Sequence, residues 1–151
     1  MFNVVLFEPE HAGNVGNIAR TCAVVGATLH LIRPFGFFLR SPQFARAAMD
    51  YLDGVSMVEH IHWPAFLESE QPTRIWGFSS KAQTTLWENT FERGDYLVFG
   101  SESRGLSDEV RAHIQTVTLP MPAGGRSLNL ATSVGIGVYE ALRQVSCAKQ
   151  L

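Results

Sequence analysis

Short apolar runs alternate with stretches of helical periodicity along the whole chain. Strand-like runs fall at Phe2–Phe7, Thr28–Ile32, Val55–His60, Arg74–Ser79, Tyr96–Phe99 and Val117–Leu119. Between them, helical patterns cover Asn14–Val25, Pro42–Met49, Trp63–Glu70, Ser107–His113 and Asn129–Val145. This alternation predicts a three-layer α/β fold with a mainly parallel sheet covered on both faces. Local signals agree. Asn14 is a candidate cap for the first helix, and Ser107 begins another with Asp108 and Glu109 in its first turn. Gly26 is placed to end the first helix in a left-handed conformation. The last pattern is apolar almost all round (Leu130, Ala131, Val134, Ile136, Val138, Ala141, Leu142), so that helix is expected to be buried on more than one side. A second subunit is the expected cover, with Tyr139 a candidate interface aromatic.

Composition narrows this without redirecting it. At 151 residues, with neither repeat, low-complexity tract nor linker, the chain is expected to form one domain over residues 1–151. Apolar residues make up 46% and charged ones 17%, ordinary for a globular protein. No apolar run approaches the ~20 residues of a membrane span, and Met1 leads directly into a strand. A cytoplasmic protein without signal peptide is therefore expected. Cys22 sits in an apolar helical pattern and Cys147 far from it, so free thiols are expected, with neither disulfide nor metal site. The formal net charge of −2 advertises no polyanion partner, yet the cations are ten Arg against two Lys. Arginine is suited to bidentate phosphate recognition and to stacking on bases.

Three polar, glycine-containing turns interrupt the apolar pattern where strands end. The first, Asn14-x-Gly16-Asn17-x-x-Arg20, opens the first helix; Gly13 and Gly16 permit a sharp bend or close backbone approach. It matches neither a phosphate loop nor a dinucleotide fingerprint, and His11 beside it reads as a solvated loop residue. The second, Gly100-x-Glu102-x-x-Gly105, follows the strand at Tyr96–Phe99, at the strand ends where open α/β sheets bind ligands. Taken alone it is also a plain turn with Glu102 paired to Arg104. The third, Arg126-Ser127-Leu128-Asn129, follows Gly124-Gly125 and precedes the last helix. Ser127 lacks the Gly-x-Ser-x-Gly elbow and an evident His–Asp pair, which argues against a hydrolase triad.

In this order and spacing the three turns resemble the signature motifs of the SPOUT superfamily of RNA methyltransferases, specifically its ribose 2′-O-methylating branch. The likeness runs from FNVVLFEPE through DYLVFGSESRGL to SLNLATSVGIGVYEA. It is strongest to the compact subgroup acting on the wobble nucleotide of certain leucine tRNAs. His11-Ala12-Gly13 departs from that subgroup, which often has prolines there. The resemblance implies a C-terminal trefoil knot and S-adenosylmethionine as cofactor. It places cofactor contacts at Phe78, Gly100, Glu102, Leu119, Met121 and Ser127. It assigns the catalytic role to Arg20, with Asn14, Asn17, Ser127 and Asn129 orienting the reacting groups. A guanidinium with a pKa above ~12 is a poor general base. Arg20 is therefore expected to grip the adjacent phosphate and stabilise developing alkoxide, with the phosphate a candidate proton acceptor. The chain opens at its first strand, so the catalytic domain is expected to hold the tRNA anticodon stem-loop itself, as a homodimer. Arg104 and Arg126 are the first candidates for RNA contacts, with Arg33, Arg40 and Arg46 behind them. Two alternatives remain open at this level. One is the same chemistry on another tRNA or rRNA site; the other is an inert RNA-binding or ribosome-assembly module.

Overall fold

The computed structural model describes residues 1–39 and 41–148; Arg40, a weaker RNA-contact candidate, lies outside them. Six strands form one all-parallel sheet: β1 (Asn3–Phe7), β2 (Thr28–Ile32), β3 (Ser56–His60), β4 (Ile75–Phe78), β5 (Tyr96–Phe99) and β6 (Gln115–Val117), in the order β3-β2-β1-β5-β4-β6. The helices are α1 (Ala12–Val25), α2 (Pro42–Ala48), α3 (Trp63–Glu70), α4 (Asp108–Ala112) and α5 (Leu130–Ala148), with 3₁₀ turns at Met49–Gly54 and Leu86–Glu88. The central strands β1 and β5 are apolar at almost every position because both faces are covered. Val4, Leu6, Leu29 and Leu31 join Val15, Ile18 and Cys22 of α1 and Val134 and Val138 of α5 in one core. Val5, Ile32 and Val98 face Trp63 and Phe66 of α3 and Val110 of α4 on the other side.

Several boundaries differ from the sequence expectation, each for a local reason. Helix α1 begins at Ala12 rather than Asn14, with His11 in the cap position and no side-chain cap. That terminus is held by a distant carboxylate, described below, so the local capping rule does not locate it. Strand β6 begins at Gln115 and ends at Val117, leaving Leu119 in the following loop. It is the sheet's edge strand, where half-exposed polar residues such as Thr116 are tolerated. The Met49–Gly54 turn has no sequence signal that we recognise. Gly26 adopts φ 74° at the end of α1, and the Ser107 hydroxyl accepts from the Val110 N–H, both as expected. Gly16 is the close approach anticipated in the first turn: a Cβ there would lie 2.5 Å from Ala47 Cβ and 2.8 Å from the Phe44 carbonyl oxygen of α2. Cys22 is buried and Cys147 exposed, both free; burial pushes the Cys22 thiol up to about 12. No helix among the described residues is long and apolar enough to cross a membrane.

One buried polar cluster was not foreseen. His30 Nδ1 lies 3.1 Å from His60 Nε2, and His30 Nε2 lies 3.1 Å from Asn3 Oδ1. Glu70 stands 3.8 Å from His30 Nδ1 and accepts from the Tyr96 hydroxyl at 3.2 Å. These groups bring three ligand-type atoms within 4.8 Å of one another, yet hydrogen bonds already occupy both nitrogens of His30. Burial lowers His30 to about 4 and moves His60 in the same direction.

Candidate active site

The winding of the chain creates the site. β1 leads outward through β2 to β3; the chain then crosses to β4, and β5 returns between β1 and β4. Ligands in such sheets bind beyond the strand carboxyl ends where the winding reverses. There β1, β5, β4 and β6 end side by side, and the loops after them surround a cavity of about 620 Å³. This is within the usual size of a small-molecule site.

Its floor is aromatic and aliphatic. Phe78 and Phe99 stack with ring centroids 4.4 Å apart, and Leu106, Leu119, Met121 and Leu130 complete the apolar lining. Gly100 begins the middle loop, and no side chain is possible there: a Cβ would overlap the Gly105 carbonyl carbon and the Leu106 nitrogen. The loop closes on itself through Gly105 N–H to the Ser101 carbonyl at 2.9 Å.

All three sequence turns meet at the mouth. Glu102 accepts from the backbone N–H of Glu10 at 3.0 Å and of His11 at 2.7 Å, and from Asn14 Nδ2 at 3.3 Å. The expected alternative of an Arg104 partner is thus replaced by the start of α1. A carboxylate only accepts, so Asn14 turns its amide nitrogen to Glu102 and its oxygen to Asn129, whose Nδ2 donates at 3.1 Å. Asn129 in turn caps α5, accepting from the Thr132 N–H at 3.2 Å. The Glu10 side chain returns the interaction by accepting from the Ser103 hydroxyl and N–H, which holds its carboxyl below the usual range. Glu8, just before this strap, carries φ 53°, a left-handed backbone in a non-glycine residue.

Every proposed cofactor contact lines the cavity: Phe78, Gly100, Glu102, Leu119, Met121 and Ser127. Asn14, Asn129, Arg104 and Arg126 line it too. Arg20 and Asn17 do not. Both are exposed on α1, and Arg20 lies about 120° round the helix from Asn14 at ~100° per residue. Its Nη1 donates to Met49 Sδ at 3.4 Å. Lys81 and Arg111 also line the cavity, and sequence reasoning missed them. Arg111 pairs with Asp108 through Nη2, while its Nε is buried without a hydrogen-bond partner. Arg111 reads in sequence as an ordinary i,i+3 surface pair. Lys81 was findable, because it lies in a loop on the ligand side of a parallel sheet. The arrangement offers an apolar slot for a flat ring and a cationic rim formed by Lys81, Arg104 and Arg126.

Comparison with protein families matches residues 1–139 to the SpoU rRNA Methylase family. The chain belongs to that family, a class of RNA methyltransferases. A tRNA (cytidine(34)-2′-O)-methyltransferase of Saccharophagus degradans is 44% identical, covering 98% of each chain. The Escherichia coli K12 protein of the same name is 39% identical over 96% of this chain and 94% of its own. A solved structure described as giving insights into the 2-OH methylation of C/U34 on tRNA superposes with a TM-score of 0.94 at 48% identity, covering 97% of both chains. The methyltransferase AviRb from Streptomyces viridochromogenes, solved with AdoMet, superposes with a TM-score of 0.83 at 25% identity, over 94% of this chain and 57% of its own.

Proposed function

We propose that this chain transfers a methyl group from S-adenosylmethionine to the ribose 2′-hydroxyl of the wobble nucleotide, cytidine or modified uridine, in leucine tRNA anticodons. The observation that carries the reading is the Glu102–Asn14–Asn129 junction, which ties all three turns together at the mouth of one cavity. The names of the relatives point to the same nucleotide position. The cavity suits the cofactor: Phe78 and Leu119 offer apolar walls for adenine, and the basic residues lining it suit a carboxylate. When bound, S-adenosylmethionine supplies an electrophilic methyl on a sulfonium.

The protein's task is then to position an oxygen in line with that methyl and to ease loss of its proton. Ser127 and Asn129 hold cofactor or ribose at the mouth, and Asn14 fixes Asn129. Arg104 and Arg126 bind phosphates on the rim. Arg20 grips the phosphate next to the target ribose and stabilises the developing alkoxide. Because Arg20 and Asn17 lie outside the cavity of their own chain, they act on the site of a second copy. α5 supplies a surface for that homodimer, with Ile136 41% and Tyr139 52% exposed. In this reading the whole chain is one catalytic domain acting on tRNA in the cytoplasm, and the crossing from edge strand β6 to α5 over the sheet centre is the knotted segment.

The test is methylation of a leucine tRNA transcript with labelled S-adenosylmethionine, followed by mapping of the modified ribose. A single 2′-O-methyl group at nucleotide 34 is expected. Modification elsewhere, or none with both base-modified and unmodified tRNA, overturns the assignment. Arg20→Ala should remain folded yet lose about 10²-fold or more in rate, the scale of losing one donor that stabilises a developing anion.

A further inference from the structure

Between β2 and α2 the chain carries four closely spaced aromatic and basic residues, Arg33, Phe35, Phe37 and Phe38. Phe35, Phe37 and Leu39 turn inward against the core. Phe35 and Phe37 stack at 5.6 Å, and the Arg33 guanidinium lies 4.6 Å from the Phe35 ring centroid. Arg33 is also tied to Glu59 at 2.6 Å, so it stiffens this segment. Phe38 turns the other way. At 87% it is the most exposed large apolar side chain among the described residues.

The backbone holds Phe38 there. The Phe38 carbonyl accepts from the Ser41 N–H at 3.2 Å, and the Gly36 N–H donates to the Pro9 carbonyl at 3.0 Å. Gly36 sits so close that a Cβ would lie 2.6 Å from the Glu10 carbonyl oxygen. Glu10 is the residue whose N–H binds Glu102 at the mouth of the cavity. The segment bearing Phe38 is thus docked on the strap that builds the site.

We propose that Phe38 is a stacking platform for an unpaired nucleobase of the anticodon loop, adjacent to the nucleotide entering the cavity. This rests on the tRNA reading above. A single exposed ring on a held backbone, between inward-facing Phe37 and Leu39, offers one flat apolar surface rather than a patch suited to another protein. An unpaired base presents a π face that a duplex hides. An aromatic side chain has only two torsions to fix and so loses little entropy on stacking. The contact is tolerant of base identity, so it registers the loop without reading its sequence.

Phe38→Ala and Phe38→Trp separate this from a structural role. With a leucine tRNA transcript, Phe38→Ala should raise KM for tRNA roughly tenfold, the scale of one lost base stack. Its kcat and its affinity for S-adenosylmethionine should hold, and Phe38→Trp should retain the wild-type KM. A 2-aminopurine placed beside nucleotide 34 should be quenched by the wild type and Phe38→Trp but not by Phe38→Ala. An unchanged KM for Phe38→Ala, an equal defect in Phe38→Trp, or a change in oligomeric state overturns the platform while leaving the methylation reading intact. A wild-type protein that methylates no tRNA overturns both.

Discussion

At the scale of single residues, the cavity depends on groups whose usual behaviour is altered by their neighbours. Glu102 looks ordinary in sequence, yet its two oxygens receive the start of α1 and the side chain of Asn14. Away from the cavity, the buried His30 shows the reverse: a titratable group kept neutral. Its folded pKa of about 4 lies below the unfolded value near 6.5. The unfolded chain therefore binds the proton first as pH falls. The contribution is intact above pH ~6.5 and is lost as pH drops through ~4, with His60 moving in the same direction. Integrated over that window, His30 accounts for up to about 3 kcal/mol. Denaturant unfolding between pH 7 and 4 should show this loss, and His30→Gln should flatten the profile. An unchanged slope in that variant would mean that other groups carry the acid sensitivity.

At the scale of elements, α1 links packing to the site. Its first turn is pinned by Glu102, and its middle lies against α2 at Gly16. The two glycines of the first turn therefore respond oppositely to substitution. Gly16→Val forces methyls into Ala47 and the Phe44 carbonyl and should cost about 1–3 kcal/mol, a fall of several degrees in Tm. A Cβ at Gly13 would meet nothing within 4 Å, and the backbone there is helical with an ordinary φ. Gly13→Ala should stabilise by about 0.5–1 kcal/mol through helix propensity. Thermal melts of the two variants decide this, and similar shifts would contradict the packing assigned to α1. The sequence marked both glycines as permissive, but only the position of α2 distinguishes them.

At the scale of the whole molecule, one chain builds the cavity but leaves Arg20 outside it. The proposed homodimer, in which a second copy contributes Arg20, makes a specific prediction. Arg20→Ala and Glu102→Ala homodimers should each be nearly inactive. Mixed and re-associated, they should recover activity toward one quarter of wild type, since half the dimers are mixed and each has one intact site. No recovery, with mixed dimers demonstrated, would place Arg20 and Glu102 in the same site of one chain.

The apolar pattern alone determined the order of strands and helices, because burial on both sheet faces leaves continuous apolar runs. It determined the parallel sheet and the buried, inert environment of Cys22. The grouping of Asn14, Glu102, Asn129, Gly100 and Ser127 was also legible, through turn chemistry and family resemblance. Arg111 was not, since its sequence neighbours describe an ordinary helical ion pair; Lys81 stood in a ligand-side loop but carried no motif to single it out. The start of α1 was misplaced for a related reason: the N–H groups of Glu10 and His11, just before and at its cap, are held by a carboxylate 92 and 91 residues away. Only the tertiary structure decides such things. Sheet order brings distant strand ends together, and long-range hydrogen bonds there override the local preferences that a sequence displays.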